Sequence, residues 1–159
     1  MAPANRNPKL AAKIAQMRLT IAPIVHVLSG QSPPEFPSTM LELFLLTEDQ
    51  LDAMAHYYSQ VTPDGFTFNY PQTMDWNRPL LGKPEPGEIG DERCRLSDYE
   101  RLRIKMRMFA RFIGMRGADT PQWEYERHIE ILKARINKSV EEEERLQTRK
   151  MYGGPPTRP

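Results

Sequence analysis

The sequence predicts a mainly α protein, a small irregular domain of four or five helices with an extended aromatic arm. Three observations predict it. Apolar residues recur at steps of three and four in several segments. Hydroxyl residues stand three positions before Glu or Gln at the heads of those segments, as a capping box requires. Alternation of apolar and polar residues occurs in a single short run, too little for a sheet. At 159 residues with 39% apolar content, the chain can bury a core and leave some of its length solvated. We expect one helical domain over 1–150, with 61–95 forming an irregular arm and loop and 151–159 a disordered tail ending in Gly153-Gly154-Pro155-Pro156.

Asn7 and Pro8 make an N-cap and first helical position. From there Leu10, Ile14, Met17, Ile21, Ile24 and Leu28 form a helical stripe that keeps phase across Pro23. The pattern reads as one kinked helix, or two nearly collinear ones, stopped at Ser29-Gly30. Met1 to Pro34 carries no acidic residue, so this basic amphipathic start also fits a mitochondrial transit peptide. Gln31 to Pro37 is a proline-stiffened linker.

The most apolar run, Thr39 to Tyr58, carries two capping boxes, Thr39 with Glu42 and Thr47 with Gln50. Leu46 and Leu51 stand where a hydrophobic staple would clamp the second helix. Leu51, Met54, Ala55 and Tyr58 share its inner face, and this short-then-long helix pair is the expected centre of the core. Thr62-Pro63-Asp64-Gly65 is a turn. Phe66, Phe68 and Tyr70 alternate with Thr67 and Asn69 and read as an extended arm, through Trp76, laid over the helices. Residues 82–93 form a loop made acidic by Glu85, Glu88, Asp91 and Glu92.

Ser97 and Glu100 repeat the capping-box spacing and open a helix to about Met115, ended by Gly114 and Gly117. Its expected buried stripe is Leu102, Met106, Phe109 and Ile113. Asp119 or Thr120 then caps a long helix with Pro121 in its first turn. Tyr125, Ile129, Leu132, Ile136 and Val140 share one face and are expected to pack; beyond them the Glu141–Glu144 run should project into solvent.

The segment Arg93–Arg116 holds eight basic residues against Asp98 and Glu100. A basic helix with methionines and phenylalanines suits a phosphate, an anionic membrane or a partner's groove. Alternatively the arginines pair with the acidic loop and the Glu141–Glu144 run. Arg103, Arg107 and Arg111, at steps of four, are the candidate anion or nucleic-acid contacts. Met108, Phe112, Met115 and Leu146 are the candidate partner-binding surface.

Chemistry is thinly represented. Asp52 with His56, and Glu124 with His128, stand four apart on helices and could make acid–base pairs, but each offers two ligands where a catalytic zinc takes three. An enzyme using Asp52 and His56 is the third reading. No HExxH, CxxC, P-loop or GxGxxG is present, so no metal, cofactor or catalytic residue is expected. Cys94 has no histidine near it in sequence, which argues against a nucleophile. A single cysteine fits a reducing compartment, cytoplasm or nucleus, and no segment approaches the length of a membrane span. A net charge of +1 excludes a global field toward nucleic acid.

Two segments, LLTEDQLDAMAHYYSQVTP (Leu45 to Pro63) and ARFIGMRGADTP (Ala110 to Pro121), resemble a family of small uncharacterised proteins of filamentous fungi. The resemblance covers about half the chain and implies no activity or site residue; it implies a self-contained small protein. The sequence therefore points to a non-catalytic protein–protein interaction module of unknown partner and oligomeric state, with nucleic-acid binding through the basic helix over 97–116 as the alternative.

Overall fold

A computed structural model describes residues 7–85 and 90–152, with backbone alone at Met151 and Tyr152. Among them are five α-helices: α1 (Pro8–Met17), α2 (Met40–Phe44), α3 (Glu48–Tyr57), α4 (Asp98–Phe112) and α5 (Gln122–Tyr152). Three 3-10 turns, Thr67–Asn69, Pro79–Leu81 and Glu92–Cys94, lie between α3 and α4. The chain divides into two compact units. Among the described residues, one comprises those up to Gly82 together with Asp98–Asp119; the other comprises those within Lys83–Ser97 and those from Thr120 to Tyr152. The tail expected to be disordered lies, from residue 153, outside the described residues, as does Glu88 of the acidic loop.

In the first unit the local signals at helix ends act as the sequence indicates. Asn7 accepts hydrogen bonds from the Lys9 and Leu10 amides. Thr47 and Gln50 close a reciprocal capping box, Gln50 N to Thr47 Oγ1 at 3.3 Å and Thr47 N to Gln50 Oε1 at 2.9 Å. Thr39 caps α2 in the same way, but the Glu42 carboxylate reaches one residue further back, to the Ser38 amide and hydroxyl. At the end of α4, Gly114 takes φ +82 and the Met115 and Gly114 amides return to the Ala110 and Arg111 carbonyls. That is a Schellman stop, and a glycine adopts its left-handed residue without strain.

The first helix is shorter than its apolar stripe. α1 ends at Met17 and buries nothing. Pro23 disfavours helix in the residue before it, and the following backbone finds other partners. Thr20 bridges Thr39, and the Ile21 amide donates to Ser38 O. Three tyrosines then hold the segment down. Tyr58 Oη donates to Ile24 O at 2.7 Å, Tyr57 Oη donates to Gln31 O, and Tyr70 Oη accepts from the Val27 amide. A non-helical segment must satisfy its backbone somewhere, and here the phenols do so. Burial, helped by the charges of Tyr57 and Tyr70, pushes the Tyr58 phenol up.

The core of this unit is aromatic. Tyr58 packs at 5.6 Å from Tyr70 and 5.1 Å from Phe112 between ring centroids, and Phe109 meets Phe36 edge-on. Leu43, Leu51, Met54, Met74 and Ile104 complete it. The aromatic arm lies on this core, but it opens with the 3-10 turn Thr67–Asn69 instead of a strand. Of the alternating aromatics only Tyr70 goes inward, while Phe68 is exposed. Buried Gln60 anchors the arm, its Nε2 donating to Tyr58 O and Thr67 O and its Oε1 accepting from the Met74 amide.

In the second unit α5 packs beside the 3-10 turn Glu92–Cys94. Arg127 Nη2 donates to Arg95 O and Arg135 Nε to Cys94 O, closing the backbone of the preceding loop. Asp91 pairs with Arg93 at 2.8 Å, and those hydrogen bonds hold its carboxyl at about 2. The apolar stripe of α5 was expected to pack and does not. Tyr125, Ile129, Leu132, Ile136 and Val140 are all exposed, from 48% at Val140 to 62% at Ile136, while Ile131 is buried.

Candidate functional site

α3 and α4 meet through charge. Glu48 and Asp52 are one turn apart on α3, and Arg101 and Lys105 are one turn apart on α4, so the two pairs face each other in register. Arg101 grips Glu48 with two parallel bonds, Nε–Oε1 at 2.6 Å and Nη2–Oε2 at 3.0 Å, and also reaches Asp98. Lys105 Nζ lies 2.8 Å from Glu48 and 2.6 Å from Asp52, and 5.6 Å from the Trp76 ring centroid. Trp76 Nε1 donates to Asp52 as well, at 2.8 Å. Burial alone would raise the Glu48 carboxyl, but the hydrogen bonds and charges of Arg101 and Lys105 outweigh it and hold the pKa below its ordinary value. The same Glu48 bonds, together with Asp98, raise the Arg101 guanidinium.

This network decides which side of α4 is inward. With Arg101 and Lys105 buried, the inner face is Ile104, Met108, Phe109 and Phe112. The expected stripe of Leu102, Met106, Phe109 and Ile113 is thus displaced by about 100°, one residue around the helix. Leu102 and Met106 instead floor a surface hollow of about 490 Å³. Leu43 and Phe44 at the end of α2, Ala110, and Met115 past the α4 stop supply the rest of its apolar lining. Arg103, Arg107 and Arg116 stand among them, and no acidic residue lines the hollow. Arg103 lies over the Tyr99 ring at 5.6 Å, and Arg107 Nη1 is 3.5 Å from Ala118 O.

Of the three arginines expected to act together, Arg103 and Arg107 share this hollow; Arg111 is exposed but does not line it. Of the expected partner surface, Met115 lines the hollow and Leu146 is exposed. Met108 and Phe112 are not available to a partner: at 4% and 1% exposure they fill the core behind α4. Sequence reasoning missed Arg116, Leu43 and Phe44. It also missed the Glu48–Asp52 match to Arg101–Lys105, whose signal was two oppositely charged i, i+4 pairs on separate helices.

The other candidates have structural employment. Asp52 holds Lys105 and Trp76, and His56 is exposed. His26 Nδ1 accepts from the Leu28 amide, and its ring meets Tyr57 edge-on. Among the described residues no group of three His, Cys, Asp or Glu side chains could hold a metal ion. Nor, among them, is any helix long and apolar enough to cross a membrane. Compared with protein-family models, curated proteins and solved structures, the chain matches none of them.

Proposed function

We propose that the chain is a non-catalytic interaction module, and that the hollow of α2 and α4 receives an acidic amphipathic helix of a partner protein. One observation carries this reading: a hollow whose lining joins apolar Leu43, Leu102, Met106 and Met115 with Arg103, Arg107 and Arg116 and includes no carboxylate. Helix-in-groove recognition needs an apolar trough for anchors at i, i+3 or i+4, and i+7. The arginines select acidic flanks and steer their approach. Two other basic residues of α4, Arg101 and Lys105, are turned inward onto Glu48 and Asp52. With a single cysteine, such a module suits the cytoplasm or nucleus.

Fluorescence anisotropy with a labelled helical peptide carrying leucines at those spacings and glutamates beside them is the test. Binding should be lost in Met106→Asp and weaken in Arg103→Glu, and a peptide of the same composition in scrambled order should fail. Equal binding of ordered and scrambled peptides would remove the groove from the account. Nucleic-acid binding is the second reading, favoured by Arg103 and Arg107 lying in one hollow beside Tyr99. It requires affinity for mixed DNA and RNA that falls steeply with salt and is lost when Arg103, Arg107 and Arg111 become alanine. The apolar floor speaks for a peptide, because a phosphate backbone gives leucine and methionine nothing to contact.

A further inference from the structure

We infer that α5 is a self-association helix, pairing antiparallel with α5 of a second copy along the stripe Tyr125, Ile129, Leu132, Ile136. This surface is separate from the hollow of α2 and α4, so the inference stands or falls apart from the proposed function.

α5 has two faces. Arg127, which turns to the preceding loop, lies about 170° around the helix from the centre of the stripe, and buried Ile131 about 130°. The stripe is therefore the far side of an already packed helix, running about 22 Å from Tyr125 to Val140. Spacings of four, three and four are those of a coiled-coil seam, with Ile129 and Ile136 at one core position and Tyr125 and Leu132 at the other. With Val140 included, the exposed fractions amount to roughly 500 Å² of apolar surface per copy, within the range of the largest patches on lone chains, which are often binding surfaces.

The flanking charges select both the occupant and its direction. Antiparallel about a two-fold axis between Glu130 and Ile131, Ile129 of each copy faces Leu132 of the other, and Tyr125 faces Ile136. Each seam layer is then apolar. Along one flank Glu126 comes beside Lys133 of the other copy, within about 3 Å along the axis, and symmetry repeats the pair. Both side chains are exposed. The glutamates Glu141–Glu144 then lie beyond the seam, near the other helix's N-terminus, where the helix dipole favours negative charge. A parallel pair does worse. It stacks Glu143 on Glu143 in the seam, and its flanking pairs, His128 with Lys133, Arg135 with Val140 and Glu142 with Gln147, include no opposite charges. A stripe whose two halves complement each other in shape, with opposite charges along one flank, fits its own copy.

The area sets the strength. Twice the patch is roughly 1,000 Å², the lower edge of stable interfaces, so the dimer should be micromolar rather than obligate. Sedimentation velocity on the full chain should show the mass rise with concentration from one 18.5 kDa chain toward two. Ile129→Asp/Ile136→Asp, exposed positions whose helicity is checked by circular dichroism, should remain monomeric throughout. Glu126→Lys and Lys133→Glu should each dimerise at least 10-fold more weakly alone. Mixed together they should associate again, because antiparallel pairing brings the new lysine to the new glutamate. A chain monomeric into the hundreds of micromolar overturns the inference. So does a dimer indifferent to the aspartates, or a mixture that stays apart. Stripe variants that instead lose capture of a foreign helix, with no self-association in the parent, would also overturn it.

Discussion

Deleting the carboxylate of Glu48 should cost this fold much more than deleting the ammonium of Lys105, although the two touch. Glu48→Ala removes three charge-assisted bonds, at 2.6, 3.0 and 2.8 Å. It leaves two cations whose side chains are only 5% and 4% exposed, Arg101 with Asp98 alone and Lys105 with Asp52 alone. Stranding buried charge in this way costs about 3–5 kcal/mol. Lys105→Met leaves no charge stranded. Glu48 keeps its two-point grip on Arg101, Asp52 keeps Trp76 and is partly exposed, and methionine fills the volume of the lysine stem. Its cost should be about 1 kcal/mol or less. Urea unfolding followed by Trp76 fluorescence in a Trp123→Phe background checks this. With a slope of about 2 kcal/mol per molar, the Glu48→Ala midpoint should fall by about 1.5–2.5 M and that of Lys105→Met by under about 0.5 M. Equal shifts for the two variants would refute the reasoning, because the argument depends on which partner is stranded. The pH dependence gives a second arm. The folded pKa of Glu48 is depressed, so its contribution is fully present above the unfolded value of about 4.3 and is lost as pH falls through the folded value. Stability should drop as pH falls below about 5 and on through the depressed folded value, and Glu48→Gln should flatten that drop.

Two further substitutions probe the helix ends. Thr47→Ala opens the capping box of α3 and should cost about 1 kcal/mol, read as a fall of about 2–4 °C in Tm; no change would mean the cap does not hold α3. Gly114→Ala meets no atom within 4 Å but must keep φ at +82, so it should cost about 1 kcal/mol of backbone strain alone. Gly65→Ala, equally open and without a positive φ, is its near-neutral control in the same denaturation assay.

The parts of this molecule legible in one dimension are those whose physics is local. A cap is an interaction between residues three apart, and a glycine stop depends on one residue's freedom at φ above zero. Hence Asn7, Thr39, Thr47 and Gly114 do what their spacing implies. The mainly helical class followed from the same signals. Proline was the ambiguous case. At Pro23 the stripe kept its phase, yet the helix ended at Met17 because Thr39 and three tyrosines, distant in sequence, offered the extended backbone its hydrogen bonds.

What the chain order could not state is which side of each helix turns inward, and both candidate surfaces hang on that. Periodicity shows that a helix has an apolar face but does not say what covers it. On α4, Glu48 and Asp52 draw Arg101 and Lys105 inside across more than fifty residues and roll Leu102 and Met106 out into the hollow. On α5, Ile131 and two arginines bonded to loop carbonyls take the inner side and leave the cleanest stripe in the sequence exposed. By itself the sequence determined the helical class and those helix ends that a cap or a glycine stop settles within a turn of chain, as at Thr47 and Gly114. Only the tertiary structure decided which faces are buried in the fold and which stay exposed, because a buried charge goes where its distant partner lies.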